Sequence, residues 1–307
     1  MTTAALHHAS GDPTEKRVSA VTPRDLATSA ANRRYRSSRF KMIAGLACTL
    51  LIVIPVALAQ VLPLPDPTDV DLSQRRLPPL SEGHLFGTDP LGRDLLSMIL
   101  HGGQVSILIG LLAITVSGAI GIVLGSAAGF FGGWVDTGVS RLLEAQMSLP
   151  LLMMLLLVVA LFGPSVPVIT LVIAIAQWPE VARLTRSLVL VEREKPYVAA
   201  AHVLGVHRMR TLLRHVIPNV IRPASLVVPL LLAQAVLLES ALSYLGAGPQ
   251  RPFVTWGRII SDGQNYITTS WWLVTIPGMV IALLVVGVNL LGDSLRDRAP
   301  RPKGVEA

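Results

Sequence analysis

The chain has a single cysteine, Cys48, which excludes an internal disulfide and any zinc cluster built on thiolates. Charge is also scarce: 15% of the 307 residues are Asp, Glu, Lys or Arg, against about a quarter in soluble domains. No phosphate-cradling GxxxxGK(S/T) loop occurs, and neither HExxH nor GxSxG is present, so nucleotide hydrolysis of that type, zinc proteolysis and serine hydrolysis have no visible basis. The seven histidines (His7, His8, His84, His101, His202, His207 and His215) fall into no metal-ligand spacing, and no metal site is expected. Paired carboxylates inside apolar runs are missing too, which removes an intramembrane enzyme. About forty polar residues precede the first apolar run, so that run reads as a retained helix and not a secretory signal.

What the chain has in abundance is apolar sequence, 51% by composition, gathered into long runs. A hydrocarbon core of roughly 30 Å needs about 20 apolar residues in a helix. Runs of that kind are expected to cross a membrane at 42–62, 104–129, 138–162 (with Pro150 inside), 166–186, 224–246 and 271–291. The expected fold class is therefore all-α, a polytopic membrane protein with six transmembrane helices. The organisation reads as a disordered N-terminal tail over 1–40, a first membrane helix over 41–62 and an external segment over 63–103. A core domain with five membrane helices then covers 104–292, and a C-terminal tail covers 293–307. Cys48 lies in the first run and is expected to pack as a small hydrophobe. In the external segment, Leu91, Leu95, Leu96, Ile99 and Leu100 share one face of an expected short amphipathic helix. In the second run, Ser117, Gly121, Gly125 and Gly129 recur every four residues, the spacing that lets another helix approach closely.

The net charge of +7 does not point to nucleic acid, because the basic residues stand in blocks between apolar runs. With both termini in the cytoplasm and six crossings, 21 of the 26 Lys and Arg fall on the cytoplasmic side, as the positive-inside rule requires. The location expected from this is a bacterial inner membrane. Arg33, Arg34 and Arg36, next to the first run, read either as a topology anchor or as a lipid or partner site.

The longest polar stretch between late runs covers about 187–221. Tyr197, Ala200, Ala201 and Leu204 share one helical face, Gly205 can end that helix at positive φ, and a second helix is expected with Val206, Met209, Leu213 and Val216 aligned, stopped by Pro218. Such a pair of basic amphipathic helices fits either a groove on a partner or the membrane surface. Three further groups stand out. Glu239 is the one carboxylate clearly inside an apolar run; it serves as a structural hydrogen bond, as a lining of a translocation path, or at the outer interface. Gln234 and Met147 are further path candidates, and Met153 and Met154 read as packing. Asp89, Arg93 and Asp94 either pin an external helix, with Thr88 or Asp89 as its N-cap, or form an external gate or contact. Trp256, Trp271 and Trp272 fall where an aromatic belt would lie.

Several of these stretches resemble one family. Ala200, Ala201, Gly205 and Pro218 match the EAA loop of binding-protein-dependent ABC importer permeases, with Ala199 where that family usually has Glu, and His215 and Ile217 at its next two apolar positions. GTDPLGRD (Gly87–Asp94), GFFGGWVD (Gly129–Asp136), ESALSYLG (Glu239–Gly246) and Thr255-Trp256-Gly257 resemble signatures of the dipeptide/oligopeptide/nickel branch, in order. The long external segment resembles that of its C-type subunit. The resemblance implies the type I ABC importer permease fold, with Tyr197–Gly205 as the helix that couples to an ATPase. It implies two permease chains, two cytosolic ATPases that bind ATP and Mg, and an extracytoplasmic binding protein, with no catalysis and no cofactor in this chain. Peptides are the implied cargo, with nickel or a metal chelate as the alternative; the rival from another class is an ion-driven secondary transporter, which would want inverted repeats and more intramembrane charges.

Overall fold

The computed structural model describes residues 23–298, with side chains from Arg39 onward. The helices in chain order are α1 (Pro23–Leu58), α2 (Leu95–Phe131), α3 (Gly133–Met147), α4 (Leu151–Phe162), α5 (Val166–Arg193) and α6 (Pro196–Val203). After them come α7 (Arg208–Thr211), α8 (Ile217–Ala224), α9 (Val228–Tyr244), α10 (Trp256–Gly263) and α11 (Trp272–Arg298). Among the described residues there is no β-strand, only two isolated bridges, Ser81 with His84 and Thr88 with Asp94. Among the described residues, five helical stretches are long and apolar enough to cross a membrane, and α3 with α4 makes a sixth if that bent pair is one span. The spans leave Leu51, Val123 and Leu157 exposed, an arrangement that hydrocarbon accommodates and water does not.

Several expected boundaries move. Helix α1 starts at Pro23, so the part of the N-terminal tail from 23 to 40 is helical where disorder was expected; its Ala, Arg and Leu residues are good helix formers, and the adjoining span has already met the cost of nucleation. Residues 1–22 and 299–307 lie outside the described residues, and α11 runs past the expected boundary at 292. The expected external amphipathic helix is not separate: Leu95, Leu96, Ile99 and Leu100 form the first turns of α2, while Leu91 precedes it. Its N-cap is Asp94, whose carboxylate accepts from Ser97 N at 2.8 Å, and not Thr88 or Asp89. The expected single helix over 138–162 is broken at Ser148–Pro150 and bent by 87°. Pro150 lacks an N–H and biases Leu149 away from the helical region, so the hydrogen-bond ladder stops there.

Helix packing rests on absent side chains. A Cβ added at Gly121 would lie 2.5 Å from Val181 Cβ, one at Gly125 would strike the Ala182 carbonyl, and one at Gly129 would lie 2.9 Å from Arg186 O. The four-residue face of α2 is thus the seat of α5. At the α1–α11 crossing, a Cβ on Gly45 would fall 2.8 Å from Gly287 O, and Cys48 and Thr49 close over Gly287 from the other side.

Two larger cores flank this seam. One joins Ile52 and Val56 of α1, Ile99 of α2, Val236 of α9 and Leu284 of α11 around Trp256. The other joins Ile109 of α2, Leu155 of α4, Ile173 of α5 and Leu242 of α9. Trp256 and Trp272 are therefore not belt residues: Trp256 is fully buried and donates from Nε1 to Ile99 O at 2.8 Å, and buried Trp272 points its Nε1 at Thr88 O. Of these three tryptophans, only Trp271 is exposed.

The α2–α5 seam yields a direct contrast on one helix. Gly125→Leu forces a side chain into backbone and should cost at least about 1–3 kcal/mol, whereas Gly118, which has open space around it, should accept Ala with little change. Thermal unfolding of the detergent-solubilised chain checks this, with a lowered midpoint for the first variant only.

Candidate functional site

The connection between α5 and α9 is built from the end of α5 outward. Pro196 occupies the first turn of α6, where its missing N–H costs nothing. Val198 is buried and anchors α6 against Val189, Leu212, Val216 and Val220. Glu192, almost buried at the end of α5, receives Lys195 Nζ at 2.7 Å and the Tyr197 hydroxyl at 2.7 Å. Asn219 Nδ2 donates to Tyr197 Oη at 3.2 Å and to His215 O at 2.8 Å. Burial first, and then the bond to Glu192, raise the Tyr197 phenol above its ordinary pKa, so at neutral pH it stays a donor. One phenol thereby ties α5, α6 and α8 together.

At its far end α6 stops at Gly205, with φ of +74°, a conformation that a Cβ disfavours. Gly205 N bonds to His202 O and Val206 N to Ala201 O, closing the end in a Schellman-like turn. The tip is apolar and open: Val203 is 88% and Leu204 81% exposed. The expected shared face of Tyr197, Ala200, Ala201 and Leu204 is not the buried one. Ala199, Ala200 and Leu204 are exposed, Ala201 is half-buried, and Val198 is the residue that turns inward. Pro218 does not stop the second helix either. Leu212–Val216 form a π-helical turn in which Ile217 N reaches Leu212 O, and Pro218 then sits in the first turn of α8. The wide turn absorbs the missing proline N–H, and the Asn219 side chain gives His215 O a partner.

Two pairings that the sequence did not disclose brace the base of this element. Arg186 of α5 grips Asp136 of α3 with two bonds of 2.5 and 2.7 Å, the fork geometry that favours Arg. Arg193 Nη1 donates to Gly129 O at 2.8 Å, capping the end of α2. Asp136 stands in the GFFGGWVD stretch, yet its partner is 50 residues away and no local pattern names it. Glu192 carried one usable signal, an acid five residues before a tyrosine at a helix junction.

The other candidates are placed elsewhere. The Asp89 carboxylate accepts from Leu91 N (2.8 Å), Arg93 N (2.9 Å) and Arg93 Nε (2.7 Å), and Arg93 also faces Asp262 of α10 at 3.7 Å. Asp94 lies 2.9 Å from His84 Nδ1. All three residues are buried, so they form an internal clip between the external segment, α2 and α10. Gly92, at φ +80°, fits against the Asp71 carbonyl where a Cβ would collide. Glu239 is fully enclosed. Its Oε1 accepts from Ser243 Oγ at 2.6 Å, its Oε2 has no partner within hydrogen-bond distance, and hydroxyls of Ser106, Thr255 and Ser240 surround it. It is a buried carboxylate of α9 that faces hydroxyls of α2 (Ser106) and of the start of α10 (Thr255). Gln234, half-buried, is on the same helix. Met147 is exposed at the end of α3, where its sulfur accepts from Arg183 at 3.2 Å. Glu239 and Met147 thus have different surroundings and do not form one site within this chain. Met153 is exposed, while Met154 packs against the second core.

Comparison with known proteins matches the chain to one family. A family model described as the binding-protein-dependent transport system inner membrane component covers residues 121–301. The probable D,D-dipeptide transport system permease protein DdpC of Escherichia coli (strain K12) is 39% identical over 76% of this chain and 78% of that one. The di/tripeptide transport system permease protein DppC of Pseudomonas aeruginosa (strain UCBPP-PA14) is 37% identical over 83% of this chain and 86% of that one. Among solved structures, a chain of the MetNI methionine ABC transporter in an inward-facing conformation matches with a TM-score of 0.50 at 15% identity, covering 66% of this chain and 94% of that one. That likeness concerns the fold, which is the importer-permease fold that the motifs implied.

Tyr197→Phe isolates the network at the base of α6. Loss of the hydroxyl leaves Glu192 and Asn219 each short of a partner, a local cost of about 1–2 kcal/mol. Hydrogen exchange of amides within 196–220 should accelerate roughly tenfold, with the membrane spans unaffected; unchanged exchange there would contradict the bracing role.

Proposed function

The chain belongs to the binding-protein-dependent transport system inner membrane components, and from that premise we propose that it is one of two permease chains in an ATP-driven importer of di- or oligopeptides. A second permease completes the path, an extracytoplasmic binding protein delivers the peptide, and two cytosolic ATPase units bind ATP and Mg and do the hydrolysis. The observation that carries the reading is the α6 element, a short helix with an exposed apolar tip, locked at its base to both flanking spans. The cargo reading is supported by relatives named for D,D-dipeptide and di/tripeptide transport, which favour peptides over nickel or a metal chelate.

In this reading the termini lie in the cytoplasm and α3–α4 makes one broken crossing. The element between α5 and α9 then faces the cytoplasm, in agreement with its excess of Lys and Arg. Tyr197, Ala199, Ala200, Ala201 and Gly205 stand at the ATPase-facing helix, and Pro218 stands where the connection turns back towards the membrane. Closure of the ATPases displaces α6. The Glu192–Tyr197–Asn219 bonds pass that displacement to α5 on one side and to α8 and α9 on the other, so both spans move as levers. Glu239 holds the outer end of α9 to α2 and α10, and Gln234 and Met147 are left as candidates for the surface that the second permease faces.

Purification through a tag on this chain should bring down a second permease and the ATPase units, and the reconstituted complex should take up peptide only with ATP. Gly205→Asp puts a Cβ and a charge at φ +74°; it should reduce uptake to background while the chain stays membrane-inserted. Uptake by this chain alone without nucleotide would overturn the reading.

A further inference from the structure

The positive-inside rule disfavours basic residues on the external side of a membrane protein, so each one found there needs its own reason. In the orientation of the permease reading, the segments 63–103 and 247–270 hold five: Arg75, Arg76, Arg93, Arg251 and Arg258. Four are engaged within the chain. Arg75 Nε donates to Pro90 O at 2.8 Å, Arg76 lies over the Tyr266 ring at 5.7 Å, Arg93 is held by Asp89, and Arg258 Nη1 donates to Gln250 Oε1 at 3.3 Å. Arg251 is exposed, and its side chain makes no ion pair or hydrogen bond among the described residues. It lines a cavity of about 340 Å³ together with Arg93, Phe253, Val254, Arg258 and Asp262. The Asp262 carboxylate is also unspent. Its Oδ2 lies 3.7 Å from Arg93 and 3.9 Å from Arg258, and it accepts no hydrogen bond among the described residues. A cavity of this size holds a small molecule, and this one offers a free guanidinium, a carboxylate with open lone pairs and an apolar wall at exposed Phe253.

We propose that this external cavity is a subsite for a short zwitterionic peptide, with the terminal carboxylate on Arg251, the terminal ammonium on Asp262 and an apolar side chain on Phe253. The inference rests on the permease reading and adds to it a place where this chain touches the cargo. Two opposite charges left unspent in one cavity carry it. A lone anion would satisfy the guanidinium and set a second negative charge beside Asp262. A lone metal ion would meet three guanidiniums around one carboxylate. A ligand that bears both signs answers both groups, because guanidinium donates to a carboxylate in a fork and an ammonium donates to Asp262. The termini are what short linear peptides share, so recognition there admits many sequences. An acidic side chain of the binding protein is the weaker occupant, because it leaves Asp262 without a donor.

The test uses the purified complex of permeases and ATPases without the binding protein, so that only the membrane assembly can hold peptide. The probes are alanyl-phenylalanine, its C-terminal amide and its N-acetyl derivative, titrated by ligand-observed NMR. The free dipeptide should bind about tenfold more tightly than either derivative, the worth of one charge-assisted hydrogen bond. Arg251→Gln should abolish the preference for the free acid over the amide and keep the preference for the free amine over the N-acetyl form. Asp262→Asn should do the reverse, and Arg251→Lys should keep both preferences. Arg251 is exposed and unpartnered, so its replacement leaves the fold intact, as thermal unfolding checks. If the three probes bind alike, if none binds, or if Arg251→Gln leaves the preference for the free acid in place, the subsite is wrong while the permease reading stands. If Arg251→Gln weakens retention of the binding protein and leaves all three probes unchanged, the occupant is an acid of that protein and the proposal falls. Absence of ATP-driven uptake of any di- or oligopeptide by the complete, unaltered assembly would instead overturn the permease reading itself.

Discussion

With no Cβ at Gly121, Gly125 or Gly129, the backbone of α2 can lie directly against α5, and much of the remaining architecture is hung on that seam. Because the two helices touch backbone to side chain over several turns, the end of α2 arrives beside the end of α5. There Arg193 can cap the carbonyl of Gly129, and Arg186 can reach Asp136 just beyond the Gly132–Gly133 turn. Those polar closures would be out of register if α5 rode one side chain further out. Close packing, and not hydrophobicity, is what sets position here, since lipid is as apolar as any core side chain.

The seam also fixes the base of α6. Glu192 is held at the end of α5, Tyr197 reaches back to it, and Asn219 closes the triangle from α8. The tip is free of such bonds: Val203 and Leu204 stand in the open, one residue before a glycine at positive φ. A fixed base and an unpartnered tip are the two features that the proposed coupling role requires of this element. At the opposite end of the molecule, Arg93 facing Asp262 ties the external segment to α10, and Trp256 Nε1 donating to Ile99 O ties α10 to α2.

Much of this was legible in the sequence because the responsible signals are local. The α2 face repeats every four residues, Gly205 announces a helix end, and the apolar runs give the spans. What escaped depends on partners far along the chain. Trp256 looks like a belt residue until Ile99 O, 157 positions away, is seen to take its N–H. Asp136 and Arg186 carry no mutual signature. Proline was misjudged in both directions. Pro150 does break its helix, by 87°, whereas Pro218 follows a π-helical turn, in which Ile217 N reaches Leu212 O, and sits in the first turn of the helix that continues beyond it. At the external segment, Asp89 has the composition of an N-cap but is occupied by its own turn and by Arg93, so the cap passes to Asp94.

The measurement that bears most directly on the lever is a pair of spin-label distances in the assembled complex with and without ATP, after replacing Cys48 so that no native thiol is labelled. Labels at Val203 and Ser187, both exposed, report on α6 against α5; labels at Val203 and exposed Phe253 report on α6 against the external face. The account predicts that the first distance stays constant on ATP binding while the second changes. A first distance that changes while the second holds would mean that α6 slides on a stationary α5, and the coupling through Glu192 and Tyr197 would be wrong.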